Sequence, residues 1–285
     1  MQVKSLVTSK MGKRGATKEK AKVAEEKEAA GDWTFSKCSN HALLKLVSEG
    51  LLQEKILAQW EPSFRQTFPR VDVDKVVLFA PFCERGLALP TCDFLRGLLY
   101  TYGLDPHHLT VNSITHLSIF IHFCEAFLGI EPHWDLFRFL FRVKPQPSAQ
   151  KIFVVGGAGI QLRQKAVERY LAYSLPSNVP NWKEHWFYIG NHAPELPEYT
   201  RNPPQSRPKW KSIPNTTNML QVNELLALIE AHRMTGVTGA SVLFSMFKHR
   251  VHPLQHRTRF GFKYLGAEDP SRMCAEELND SDALI

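Results

Sequence analysis

At 285 residues, 44% of them apolar and 11% aromatic, the chain can bury one large core or two smaller ones. Five cysteines (Cys38, Cys83, Cys92, Cys124 and Cys274) are odd in number, widely spaced and mostly set among apolar neighbours, which argues against a disulfide framework and for reduced thiols in an intracellular compartment, nuclear or cytoplasmic. Much of the net charge of +7 lies at the start, where Met1 to Val23 carries seven Lys/Arg against Glu19 alone; no uninterrupted apolar stretch reaches the roughly 18 to 20 residues of a membrane span, so the chain reads as neither secreted nor embedded.

Residues 1–35 read as a basic, disordered tail, solvated rather than specifically bound, with aromatic and aliphatic residues first appearing together near Trp33. Ser39 is placed to cap a helix running to Ser48, with Leu43, Leu46 and Val47 on one face and Gly50 as its stop. Val76 to Phe82 reads as a short buried strand. Pro90 to Tyr102 has helical spacing and ends at Gly103, and Asn112 to Leu128 is apolar nearly all round, the mark of a helix surrounded by protein. A further helix is expected from Pro132 to Phe141.

The composition then changes. Lys151 to Val155, Ile160 to Arg163, Tyr170 to Leu175 and Trp182 to Ile189 read as strands of one small antiparallel sheet. Six prolines between Pro194 and Pro214 mark an extended loop. Asn218 with Gln221 resembles a capping pair for a helix whose Val222, Leu225, Leu226 and Ile229 form its inner stripe, and a second helix from Ala240 to about Arg250 is expected to turn Leu243, Phe244 and Phe247 inward. The last residues are acidic, and there is no internal repeat.

Four groupings invite a chemical reading. The run Gly156-Gly157-Ala158-Gly159 after a strand suggests a phosphate loop, but it has neither the dinucleotide nor the P-loop spacing and reads better as a glycine-rich hairpin turn. Thr115, Ser118, His122 and Glu125 form the polar stripe of the central helix; His122 and Glu125 could exchange a proton, although a buried histidine satisfied by its neighbours is the commoner case. Asp72, Asp74, Glu84, Asp93 and Glu125 show no two-metal arrangement. Lys248, Arg250, Arg257, Arg259 and Lys263 make a stretch of +5 without an acid beside a helix pair, a candidate nucleic-acid contact, weighed against a packed hairpin with a solvated basic face.

Several stretches in order, Gly86-Leu87-Ala88-Leu89-Pro90, Tyr102-Gly103-Leu104, His107-His108-Leu109, Asn112-Ser113-Ile114, Cys124 through His133, Val155 through Arg163, Trp186-Phe187-Tyr188 and Gly236 through Leu254, resemble the gypsy-type transposon domain of plant genomes over roughly Val76 to Leu265. The resemblance implies origin in a long-terminal-repeat retrotransposon reading frame. The family's transposase label finds no matching protease triplet, polymerase motif or zinc-knuckle spacing in this sequence.

The expected fold is α+β and predominantly helical: a helical part at 36–145, a small antiparallel sheet at 146–193, a Pro-rich loop at 194–217, a helix pair at 218–265 and an acidic tail at 266–285. The expected function is non-enzymatic, a gag-like or interaction/assembly module. The alternative is a DNA- or RNA-binding transposon protein using the basic tail and Lys248 to Lys263, and a nuclease-like enzyme stands third. No catalytic, cofactor or metal residue is assigned. Expected partners are nucleic acid through the basic segments, a second copy or another protein, and no membrane.

Overall fold

The computed structural model describes residues 32–70, 74–89, 91–147, 151–191, 196–253 and 264–273. The basic tail through residue 31, the acidic residues from 274 on, Cys274, Asp72, Arg257, Arg259 and Lys263 lie outside the described residues.

The fold is α+β and helix-rich, as the sequence suggests. Helix α1 (Asn40–Ser48) begins where the Ser39 side chain accepts the Ala42 N–H, and it buries Leu43, Leu46 and Val47. Strand β1 (Glu61–Pro62) and strand β2 (Lys75–Phe79) follow. β2 stops three residues short of the expected strand because Pro81 enters the first turn of a short helix, Ala80–Cys83. Helix α2 (Asp93–Tyr102) ends at Gly103, whose φ of 64° is the left-handed stop that glycine supplies without strain.

Helix α3 (Val111–His122) starts at Thr110, whose side chain accepts from Ser113, and runs on as a π-helical turn (Phe123–Leu128) to Gly129. Val111–Leu128 is long and apolar enough to cross a membrane by length and composition, yet 78% of it is buried inside the protein, as befits its place in the core. Helix α4 (Trp134–Leu140) begins two residues after Pro132 because the His133 side chain caps it, accepting from Leu136.

The first larger departure comes at Phe141. Phe141–Pro145 is strand β3, pairing antiparallel with β4 (Ala158–Leu162) in the register Phe141↔Leu162 to Pro145↔Ala158. Phe141 continues the helical spacing of Phe137, but burial from Phe141 to Pro145 alternates with period two, and that alternation prevails. The expected single sheet of residues 146–193 is therefore two. β5 (Trp186–Gly190) joins the other one, between β1 and β2 in the order β1-β5-β2, pairing Phe79 with Trp186 and Lys75 with Gly190. Lys151–Val155 makes one isolated bridge, Ile152 to Pro147, and Tyr170–Leu175 is extended without a ladder.

The tail expected to end at residue 35 gives way to structure earlier. Trp33 is buried, stacks on Phe79 and meets Trp186 edge-on, 5.4 Å between centroids. The Pro-rich loop is anchored by Trp210, fully buried, whose indole N–H donates to the Tyr102 carbonyl at 2.9 Å. Helix α5 (Met219–Met234) packs against α4, and helix α6 (Gly239–Met246), with a π-helical turn Phe247–Val251, packs against α3. Asn218 does not cap α5; its side-chain amide donates to Asp135 instead.

Candidate functional site

The polar stripe of α3 faces α6, and its members part company there. His122 Nε2 lies 3.1 Å from Ser245 Oγ, while Glu125 takes Arg250 as its partner. Arg250 Nε also donates to Ser271 Oγ at 2.8 Å, and its Nη2 lies 3.6 Å from Asp269 Oδ1. Burial drives the imidazole of His122 down to about 3, helped by the Arg250 charge, so it is neutral near pH 7. Burial pushes the Glu125 carboxyl up to about 7 against the pull of Arg250. Burial works against ionised Asp269 too, but hydrogen bonds from Ser271 and Leu265 outweigh it and hold the carboxyl below its ordinary range. His122 and Glu125 thus each face a different group across the helix interface rather than each other, and His122 Nδ1 is buried without a hydrogen-bond partner.

Arg250 requires a correction to the candidate nucleic-acid contact. Its side chain is 3% exposed, so it cannot stand on an open face with Lys248, which is exposed. The inner stripe of α6 is Gly239, Val242, Ser245 and Met246, and Arg250, four residues beyond Met246, continues it. Phe244, expected inside, is 69% exposed, and Phe247 is half-buried. The large aromatics suggested an inner stripe turned about 100° from the real one, one residue's rotation on a helix.

The glycine-rich run is also committed. Backbone N–H groups that a phosphate would need are taken by the protein: Val154 and Val155 donate to the Asp32 carboxylate at 2.8 and 3.1 Å, and Gly156 donates to the His107 carbonyl at 2.9 Å. Gly157 leaves no room for a side chain, because a Cβ there would meet the Phe153 carbonyl at 1.9 Å. The run turns the chain into β4, with no anion required.

Among the described residues, Asp105, His107 and His108 form the one group of three ligand-type side chains close enough to share a metal ion. His108 has both ring nitrogens in use: Nδ1 accepts the Asp105 N–H at 2.8 Å and Nε2 faces the Asn202 carbonyl at 2.9 Å. Asp105 Oδ2 already accepts from the Thr200 backbone and hydroxyl. Burial lowers both histidines; Asp105 and His108 hold the 196–202 segment to the core, while His107 Nε2 is buried without a hydrogen-bond partner. The described cysteines are all free thiols; burial pushes Cys38 and Cys83 up to about 12 and Cys92 to about 11, far from a nucleophilic thiolate at neutral pH.

What remains open is a surface that the sequence patterns did not single out. Helix α5 buries Val222, Leu225, Leu226 and Ile229, yet its opposite side also carries exposed apolar residues: Leu220 is 69%, Leu228 44% and Met234 79% exposed, with Ala227 and Ala231 between them and Asn223, Glu224 and Glu230 interspersed. The signal was in the residues, because the helix has apolar side chains on two faces and only one is needed for the core.

An α+β, helix-rich protein with committed polar clusters and an uncovered apolar helix face is the class these observations define. Residues 76–145, from β2 through β3, match the family model described as "putative gypsy type transposon", so that segment is gypsy transposon-related. The match stops before the later stretches, from Val155 on, that carry the wider resemblance. No curated protein and no solved structure matches the chain.

Proposed function

We propose that this chain is a non-enzymatic, gag-like assembly module that pairs with a second copy of itself through the outer face of α5. The observation that carries the reading is the placement of Leu220, Ala227 and Met234 on that face. Leu220 and Met234 each lie seven residues from Ala227, about 10.5 Å along the helix at 1.5 Å per residue. Two copies of α5 laid antiparallel about Ala227 would bring each Leu220 against Met234 of the other copy, with Leu228 beside the seam. The small Ala227 and Ala231 would let the two helices approach closely. The two-fold arrangement is that of an isologous dimer, and the same register sets Glu224 opposite Glu230 of the other copy.

Two further points support a protein partner over nucleic acid. Arg250, one of the five cations of the basic stretch, is spent inside the core on Glu125. His122, which an enzyme would need within reach of its substrate, is wholly buried, and Glu125 is paired with Arg250.

Sedimentation equilibrium of the full chain tests the reading, comparing wild type with a Leu228→Glu/Met234→Glu variant. Both positions are exposed, so the variant should fold normally. A dimer that the variant reduces to monomer is the expected result. A wild type that stays monomeric across the accessible concentration range, or a dimer indifferent to the two charges, would sink the proposal.

A further inference from the structure

We propose that the surface made by β3, the end of β4 and the Pro-rich loop is a docking site for a single-stranded nucleic acid, with phosphates along its cations and a nucleobase in the cleft beside Lys144. The charge comes from two stretches far apart in sequence. Residues 136–167 contain no Asp or Glu and carry Arg138, Arg142, Lys144, Lys151, Arg163 and Lys165; residues 199–223 contain none either and carry Arg201, Arg207, Lys209 and Lys211. The fold packs one stretch against the other. The turn Pro208–Lys211 lies on β3, Arg163 Nη2 donates to the Lys211 and Ser212 carbonyls at 3.1 and 2.9 Å, and Arg138 Nη2 donates to the Ile213 carbonyl at 2.7 Å.

Arg142 and Lys144, at alternate positions of β3, share its outward side. Lys144, Lys165, Arg207, Lys209 and Lys211 are exposed, and among the described residues no ion pair engages them. Asp135, beside Arg138, is already taken by it at 2.8 Å and by the Asn218 amide. Burial lowers the Arg163 guanidinium from its ordinary range, and the charges of Arg142 and Arg138 lower it further, so these arginines repel one another and gain from an anion laid across them. Guanidinium forks and ammonium groups both take phosphate oxygens well.

The cleft decides for a single strand. It has a volume of about 620 Å³ and combines the amides of Gln146 and Asn178 with the aliphatic Leu162 and Val179, between Lys144 and Lys183. That lies within the roughly 300 to 1,000 Å³ of small-ligand sites and suits a body with apolar faces and hydrogen-bonding edges, as a base has. A base enters such a space only when unstacked, which a duplex forbids and a single strand allows. An acidic peptide could use the cations but not the amide-lined cleft. The role is additional to assembly through α5 and does not rest on it, because the whole surface belongs to one copy.

Fluorescence anisotropy of the full chain with a labelled uridine oligonucleotide of about 20 residues, longer than the roughly 4 to 16 nucleotides that comparable grooves cover, tests the inference across a salt series beside a DNA duplex of equal length. Tighter binding of the single strand, weakening linearly on a log–log plot against salt, is expected. Lys144→Gln/Lys209→Gln/Lys211→Gln alters exposed side chains and should fold normally. It should lose about tenfold or more in affinity and flatten the salt slope by about 2, three contacts at about 0.7 each. No binding, a duplex held as tightly as the single strand, polyglutamate competing as well as unlabelled oligonucleotide, or an unaltered triple variant would each overturn the inference. So would an equal loss in Lys13→Gln/Lys18→Gln/Lys20→Gln, which would assign the binding to charge at the start of the chain.

Discussion

Arg250 and Glu125, 125 residues apart in sequence, meet across the α3–α6 interface with side chains only 3% and 5% exposed. The pair joins the segment that carries the family match to the closing helices, through charges that neither partner can place in water. A buried pair of this kind adds little net stability while both members are present, but removing one leaves the other buried without its partner. Arg250→Ala should cost about 3 to 5 kcal/mol in urea unfolding, and the double variant Arg250→Met/Glu125→Met should recover most of it. A single variant as stable as wild type would mean that the two groups are solvated in solution.

The titrating groups of the core oppose one another in acid. His107, His116 and His122 are held neutral by burial, with His116 down at about 4 and His122 at about 3, so the unfolded chain binds protons below its ordinary imidazole range that the folded one refuses. Their effect is a loss of stability as pH falls below about 6.5. Glu125 does the reverse: with its carboxyl raised to about 7, the folded state holds a proton that the unfolded state has released, so its contribution falls as pH rises from about 4.5 to about 7. Glu125→Gln removes that opposing contribution and should steepen the loss of thermal stability between pH 6.5 and 4.5. A parallel or shallower slope in the variant would contradict the assignment.

The elements legible in the sequence are those whose signals are local. α1 has its serine cap and its glycine stop, and α3 is apolar on every side except one stripe, so both follow from short-range spacing. β3 was hidden because Phe141 fits a helix as well as a strand, and the β2–β5 pairing joins residues more than 100 positions apart, which no local pattern encodes. At the site, the polar stripe of α3 could be read but its partners could not. A carboxylate in an apolar helix demands a counter-charge, yet Arg250 was grouped with its basic neighbours because Phe244 and Phe247 looked like the inner face.

Two glycines should respond oppositely to alanine. Gly97 sits within α2, and a Cβ added there would meet nothing within 4 Å, so Gly97→Ala should raise stability by roughly 0.5 to 1 kcal/mol, the difference in helix propensity. Gly157→Ala must push its Cβ into the Phe153 carbonyl, which is backbone and cannot swing aside. Its midpoint in urea should fall while that of Gly97→Ala rises; equal behaviour would show that the turn before β4 adjusts freely.

Asp32 offers the last test, because it fastens the start of the described chain to the glycine-rich run. Its carboxylate accepts from Val154 and Val155 and pairs with Lys183 Nζ at 2.9 Å, so one side chain holds two otherwise unattached backbone donors and a cation. Lys183 in turn lies over the Phe153 ring, 4.5 Å from its centre, which ties the arrangement to the turn that Gly157 completes. Asp32→Ala strands both N–H groups and should cost roughly 2 kcal/mol, reduced from the full value of charged hydrogen bonds by the site's partial exposure. Hydrogen exchange gives the more specific readout: the Val154 and Val155 amides should exchange far faster in the variant, whereas the Gly156 amide, bonded to His107, should change little. Asp32→Asn keeps one carbonyl acceptor and should restore protection in part. Unchanged exchange at Val154 and Val155 in Asp32→Ala would mean that the loop is held by the β3–β4 pairing alone and that the carboxylate is incidental to it.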